Sequence, residues 1–105
     1  MSYDVTIRCT LCRRCDSESW NYTSNCVYMW ESAGLNLKQF DGKPVAKCIP
    51  ELDAAIAVLK SEPKRFIAMN PANGWGGYAS LVPALEALRR QLSEAQETDV
   101  VDVSY

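Results

Sequence analysis

Apolar and polar residues alternate at both ends of the chain. Residues 3–9 place an apolar side chain at every second position, namely Tyr3, Val5, Ile7 and Cys9. Residues 101–105 repeat the pattern with Val101, Val103 and Tyr105. A period of two is typical of a strand that buries one face. Because each terminal segment has only one apolar side, we expect the two strands to pair in one small antiparallel sheet.

A third strand is predicted over residues 16–22. In this segment Trp20 and Tyr22 alternate with the polar residues Ser19 and Asn21. The third strand then forms a hairpin with the first, and residues 10–15 form its tip.

The middle of the chain changes to helical periodicity. Thr23, Ser24 and Asn25 are candidate N-caps for a first helix. Its apolar stripe recurs at three- and four-residue steps, through Cys26, Met29, Trp30 and Ala33. Gly34 stands where a left-handed residue commonly ends a helix.

A connector leads from this helix to the next. Phe40 is its predicted anchor and Asp41-Gly42 its turn. Pro50 suits the first turn of the second helix, because proline has a helical φ but no N–H to donate. The stripe that follows comprises Leu52, Ala55, Ile56 and Leu59. We expect Pro63 to end this helix and residues 64–69 to form a short third one.

The last helix has the longest stripe, which runs through Tyr78, Leu81, Leu85, Leu88 and Leu92. Proline is tolerated only in the first turn of a helix, so Pro83 predicts Ser80 as the N-cap and a regular helix from about Leu81. Taken together, the pattern predicts a single α+β domain over residues 1–105. Two or three antiparallel strands, both termini included, pack against three or four helices.

Composition excludes several kinds of function. The chain has 105 residues, 48% of them hydrophobic, a formal charge of -2 and no histidine. The slight acidity argues against generic electrostatic binding to nucleic acid. Without histidine there is no Ser-His-Asp or Cys-His catalysis, and no visible constellation replaces them, so we expect no enzyme. The chain has no run of about 18 apolar residues, so no membrane span is predicted. No secretory signal is visible either, and both observations favour the cytoplasm.

Five cysteines raise the possibility of a metal site. Cys9, Cys12 and Cys15 form a compact knuckle, and a tetrahedral zinc site needs a fourth ligand, for which Cys48 is the candidate. The competing interpretation is that the cysteines are reduced and hold no metal. Cys26 lies on the first helix stripe, and Cys9 lies on the inward face of the first strand, where free thiols pack as small hydrophobic groups.

Residues 70–78 form a loop rich in glycine, asparagine and aromatic residues. Asn73 with Gly74 favours a tight turn, and the loop runs directly into the last helix. One hypothesis is a small-ligand site for a nucleotide-like anion at that helix start, with Asn73, Trp75 and Tyr78 as contacts. The favoured interpretation is structural, with Trp75 filling one end of the core.

A second aromatic cluster lies at the first helix, and it is a candidate protein-binding patch. Tyr28 lies off the helix stripe and Trp20 need not be buried, so both are expected at the surface, where aromatic residues are typical of protein interfaces. We therefore count Trp20, Asn25 and Tyr28 among the candidate contacts.

The strings Asn-Tyr-Thr-Ser-Asn at residues 21–25 and Asn-Gly-Trp-Gly at residues 73–76 together resemble small uncharacterised proteins of bacteria and their phages. The resemblance spans about the whole chain and carries over no catalytic residue. It implies terminal strands around helices, and that the starts of the first and last helices meet at one end of the domain. We therefore expect a non-enzymatic, phage-encoded accessory protein that acts on a host protein. Homo-oligomers are also possible, through an exposed sheet edge.

Overall fold

The computed structural model describes residues 2–8, 19–72, 74 and 76–105. Within these ranges three strands form one sheet: β1 (Ser2–Arg8), β2 (Trp20–Thr23) and β3 (Val100–Ser104). The same ranges contain four α-helices: α1 (Val27–Ser32), α2 (Val45–Ser61), α3 (Pro63–Ile67) and α4 (Tyr78–Glu94). Two short 3-10 turns cover Ser24–Cys26 and Leu37–Phe40. The predicted α+β class is confirmed.

The sheet has the order β2-β1-β3, with both neighbours antiparallel to β1. The two terminal strands therefore pair directly, as their alternating pattern predicted. Their apolar positions face the core, and Tyr3, Val5, Ile7, Val101 and Val103 are all buried. The third strand is also present, over the last part of its predicted range. Residues 9–18, which include the predicted hairpin tip, lie outside the described residues.

The outer edge of β3 is covered by the connector that precedes α2. The backbone N–H of Val101 donates to the Lys43 carbonyl at 2.9 Å, and that of Val103 donates to Asp41 Oδ1 at 2.9 Å. In an antiparallel pair, the backbone groups of two opposite residues either bond each other or both point away from the pair. The N–H groups of Val101 and Val103 point away from β1. The backbone N–H and carbonyl groups of Val5 and Ile7, which lie opposite them, therefore point toward the β2 side of the sheet. The connector thus satisfies backbone groups that would otherwise invite another strand.

One core fills the space between the sheet and the helices. The four leucines of the α4 stripe are buried, as are the α2 stripe, Trp30, Phe40 and Phe66. The Tyr78 hydroxyl donates to the Leu59 carbonyl at 2.8 Å and links the start of α4 to α2. Within the described ranges, no helix is long and apolar enough to cross a membrane.

Helices α2 and α4 both begin earlier than the proline rule predicted. α2 starts at Val45, so Pro50 is its sixth residue, and α4 starts at Tyr78, which makes Pro83 its sixth residue. In a helix, a residue at position 50 or 83 normally donates its N–H to the carbonyl four residues earlier, on Ala46 or Ala79. Proline has no N–H, so these two carbonyls lose that bond. Both alanines and both prolines are exposed, so the freed carbonyls face water.

Tertiary hydrogen bonds support these early starts. The N–H of Val45 donates to the Asp99 carbonyl at 2.8 Å, and that of Ala46 donates to the Glu97 carbonyl at 3.3 Å. At α4 the Tyr78 N–H donates to Asn70 Oδ1 at 2.8 Å. These acceptors are distant in sequence or lie on a loop, which is why local pattern placed the starts at Pro50 and Leu81 instead.

The remaining predictions for the helices hold with small shifts. The first helix begins as a 3-10 turn whose N-cap, Thr23, accepts the Asn25 N–H through its side chain. Gly34 follows its end with φ +91°, a left-handed conformation that glycine adopts without a steric penalty. α2 ends at Ser61, two residues before Pro63, as expected, and Pro63 is itself the first residue of α3.

Candidate functional site

An open groove of about 490 Å³ lies where the sheet, α1 and the second 3-10 turn meet. Three tyrosines and two opposite charges line it, so we call it the tyrosine groove. Its lining residues are Ser2, Tyr3, Ser24, Val27, Tyr28, Glu31, Lys38 and Tyr105. These come from both ends of the chain, from the first helical segment and from the second 3-10 turn, and only the fold brings them together.

Two of the lining residues, Tyr3 and Tyr105, belong to an aromatic stack. Tyr3 is buried and meets the Trp30 ring edge-on, with centroids 5.1 Å apart and planes at 86°. On its other side Tyr3 stacks with Tyr105, whose centroid lies 5.7 Å away. Edge-on and offset stacked arrangements are the favourable ones for aromatic pairs. Tyr105 makes this ring contact although the residue is 62% exposed.

Tyr28 forms a protruding wall of the groove. Its neighbours Met29 and Trp30 point into the core, which turns Tyr28 outward and leaves it 79% exposed. The predicted exposure of Tyr28 is therefore confirmed. Burial of a side chain of this size would be favourable, because it would remove a large apolar area from water.

Two opposite charges complete the lining. The Lys38 ammonium lies 4.6 Å from the centroid of the Tyr105 ring, a cation–π distance. Glu31 lies one helical turn after Tyr28 on α1, so the two share a face. Neither Lys38 nor Glu31 belongs to any of the salt bridges formed among the described residues.

A second feature joins β2 to α4. The Tyr22 hydroxyl lies 2.6 Å from Ser80 Oγ, donates to the Gly77 carbonyl at 3.3 Å and accepts the Gly77 N–H at 3.3 Å. Cys26 Sγ lies 3.8 Å from the same hydroxyl. The starts of the first and last helical segments therefore meet.

Close packing at this junction requires glycine. Gly76 has φ +84°, and a Cβ at this position would lie 2.6 Å from Thr23 Cγ2 and 3.1 Å from the Tyr22 hydroxyl. Only a residue without a side chain lets the loop approach β2 so closely.

Burial sets the ionisation of the junction. It raises the pKa of Tyr22 above its usual value, although hydrogen bonds from Ser80 and Gly77 partly offset the effect. Burial also raises the pKa of the Cys26 thiol, while its hydrogen bond with Tyr22 opposes that shift. Both groups are therefore held protonated, the form that is less reactive as a nucleophile.

The predicted exposure of Trp20 is wrong. Trp20 is 5% exposed, and its indole N–H donates to the Ala84 carbonyl on α4 at 2.7 Å. The alternation that placed it in a strand also turned it toward the core, where the carbonyl satisfies its one donor. Trp20 is therefore a core residue and offers no surface contact.

The other predicted contacts divide between the two features. Asn25 is exposed and lies next to Ser24 of the groove. Tyr78 is half-buried and tied to α2 through its hydroxyl. Asn73 and Trp75 lie outside the described residues, so the ligand hypothesis for the 70–78 loop stays a prediction.

The zinc hypothesis also stays a prediction. Cys9, Cys12 and Cys15 lie outside the described residues, and Cys48 is buried within α2. Burial raises the pKa of the Cys48 thiol to about 11, with Lys43 lowering it and Glu51 raising it. The described part of the chain contains no cluster of three or more His, Cys, Asp or Glu residues that could hold a metal.

Sequence reasoning found Tyr28 but missed the rest of the groove. Glu31 and Lys38 gave no signal, because isolated charges are common on any surface. Tyr105 did give one, as an apolar residue continuing the β3 alternation at its edge.

In comparisons with known proteins, the chain matches no family model, no curated protein and no solved structure.

Proposed function

We propose that this protein is a non-enzymatic binding protein that holds a segment of a partner protein in the tyrosine groove. The observation that carries the proposal is the pair of exposed tyrosines, Tyr28 and Tyr105, at 79% and 62% exposure beside a groove of about 490 Å³. Such a volume is in the range of sites that bury a few side chains or a small molecule.

The chemistry of the lining suits a protein partner. Tyrosine supplies a large contact area with only two rotatable side-chain bonds, so little conformational entropy is lost on binding. Tyr105 is already stacked on the buried Tyr3, which reduces that loss further. Lys38 and Glu31 supply a polar rim, which fixes the orientation of a bound segment more than it adds affinity.

The pKa directions give no support to a catalytic nucleophile at three buried or half-buried groups, none of which lines the groove. Tyr22, Cys26 and Cys48 all have pKa values raised by burial, so each is held in its protonated form near neutral pH. A catalytic nucleophile requires the opposite shift. The partner we propose is a protein of a bacterial host, which is the partner that the resemblance of residues 21–25 and 73–76 to small proteins of bacteria and phages would imply.

Site-specific photo-crosslinking tests the proposal. A benzoyl-phenylalanine placed at position 28 is expected to capture one defined partner in bacterial cells. The same group at position 57, an exposed alanine of α2, is expected to capture none. Capture of the same proteins from both positions, or of none from position 28, would overturn the proposal.

A matched pair of substitutions separates the groove from surface hydrophobicity in general. Tyr28→Ala should abolish co-purification of the crosslinked partner. Ile67→Ala removes another hydrophobic side chain that is 50% exposed but does not line the groove, and it should leave co-purification unchanged. Equal loss in both variants would show non-specific adhesion.

A further inference from the structure

The tyrosine groove contains both halves of a contact. Tyr28 protrudes from α1, while the Tyr3–Tyr105 stack lines the space beside it. A protruding ring on one molecule therefore has a recess of about 490 Å³ to enter on an identical molecule. Aromatic rings buried against other rings in offset or edge-on geometry make favourable contacts.

The charges of the groove are also matched to each other. Lys38 and Glu31 carry opposite signs, both line the groove, and neither has an ion-pair partner among the described residues. In a twofold dimer each contact occurs twice, once in each direction. If Lys38 of one copy pairs with Glu31 of the second copy, then Glu31 of the first copy also pairs with Lys38 of the second.

We infer that a second copy of this chain occupies the tyrosine groove, in a face-to-face dimer with twofold symmetry. Tyr28 of each copy lies against Tyr105 of the other, and Lys38 of each pairs with Glu31 of the other. The inference rests on the proposed function, because the groove that binds the partner protein is the groove that the second copy occupies when no partner is bound. The dimer and the partner complex then exclude each other, so protein concentration controls access to the groove.

The other candidate surface for self-association is less suited. The outer edge of β3 is already bonded to Lys43 and Asp41. β2 has only four residues, and a short edge supports few ladder hydrogen bonds. A dimer through the tyrosine groove is therefore favoured over one through the sheet.

Charge reversal and its rescue test the dimer. The whole chain is measured by sedimentation equilibrium from about 1 to 100 μM, a range over which a moderate dimer dissociates. A reductant is present throughout, because the chain has five cysteines and intermolecular disulfides would mimic association. The four proteins compared are the wild type, Glu31→Lys, Lys38→Glu and the double variant.

We expect the wild type to dimerise reversibly within this range. Each single reversal places like charges opposite each other twice, and it should weaken the dimer at least tenfold. The double variant restores opposite charges with exchanged positions and should return to within about threefold of the wild type. Glu94→Lys and Lys47→Glu, alone and together, are matched controls outside the groove and should change nothing.

Each contrary outcome overturns the dimer. A wild type that stays monomeric at 100 μM would do so, as would single reversals that leave the dimer intact or a double variant that stays as weak as the single ones. Circular dichroism spectra of every variant check that the substitution leaves the fold intact. A monomeric wild type that still captures a partner from position 28 would remove the dimer and leave the proposed function standing.

Discussion

The Tyr22 hydroxyl lies 2.6 Å from Ser80 Oγ, although the two residues are 58 positions apart in the chain. Through the same hydroxyl, β2 bonds both the N–H and the carbonyl of Gly77, at the start of α4. One phenol group thus fixes where the last helix begins relative to the sheet.

Tyr22→Phe should lower the free energy of unfolding by about 1–2 kcal/mol, because it removes the acceptor of the part-buried Gly77 N–H, while Ser80 Oγ keeps its bond to the Gly77 carbonyl. Urea denaturation measures the change. The control is Tyr28→Phe, which removes a hydroxyl from a side chain that is 79% exposed and should change stability by less than about 0.5 kcal/mol.

A double-mutant cycle isolates the bond itself. If Tyr22 and Ser80 act on each other, Tyr22→Phe with Ser80→Ala should cost less than the sum of the single variants, by about 0.5 kcal/mol or more. Strict additivity would show that the hydroxyl acts only through Gly77.

Gly76→Ala should be much more damaging than Gly74→Ala. Both glycines have positive φ, +84° and +74°, so alanine meets the same backbone penalty of about 1–2 kcal/mol at either position. A Cβ at Gly74 would have no atom of a described residue within 4 Å, its chain neighbours aside, while one at Gly76 lies 2.6 Å from Thr23 Cγ2. We expect the clash to cost a further 1–3 kcal/mol, about as much as overpacking a core. Equal thermal denaturation midpoints would contradict the close approach.

Alkaline pH should destabilise the protein partly through Cys48. Its pKa is about 11 in the folded chain, against about 8.5 for a free thiol. Between these values the unfolded chain has released the proton and the folded chain still holds it, so the free energy of unfolding falls as pH rises. Below about pH 8 both states are protonated and Cys48 contributes no pH dependence.

Cys48→Ala tests this pH dependence. The variant should be less stable at pH 7, because it leaves a small cavity in the core. From pH 8 to 10.5 it should lose about 2 kcal/mol less than the wild type, measured by urea denaturation at each pH. All other ionisable groups are common to the two proteins, so the difference between them reports on Cys48 and its neighbours Lys43 and Glu51. Identical slopes would contradict the raised pKa.

Asp41 should stabilise the sheet through its side-chain oxygen and not through its charge. Asp41→Ala removes the acceptor for the Val103 N–H and should cost about 1 kcal/mol. Asp41→Asn keeps an acceptor oxygen at the same place and should retain most of the stability. Hydrogen exchange at the Val103 amide gives a local readout, and it should quicken in the alanine variant alone.

Much of the fold could be predicted from local pattern. The alternation at residues 3–9 and 101–105 identified two strands with one buried face each, and pairing them followed from the apolar sides they share. The leucine stripe of α4 and the Asp41-Gly42 turn were equally readable. These features depend on periods of two and 3.6 residues, which the order of the residues records directly.

The helix starts were less readable, because a start depends on what satisfies its first N–H groups. Pro50 and Pro83 were expected in first turns, but each is the sixth residue of its helix. Asp99 and Glu97 accept the first N–H groups of α2 from the far end of the chain. No local rule reports an acceptor that lies more than fifty residues away.

The sequence by itself determined which residues are apolar, in what period, and therefore which elements form and which face of each is buried. It also determined that Tyr28 lies off its helix stripe. Only the tertiary structure decided that the Trp20 indole N–H meets the Ala84 carbonyl, that Tyr22 meets Ser80, and that Tyr28, Lys38 and Tyr105 line one groove. The physical reason is that periodicity describes neighbours along one element, whereas a site depends on how separate elements pack.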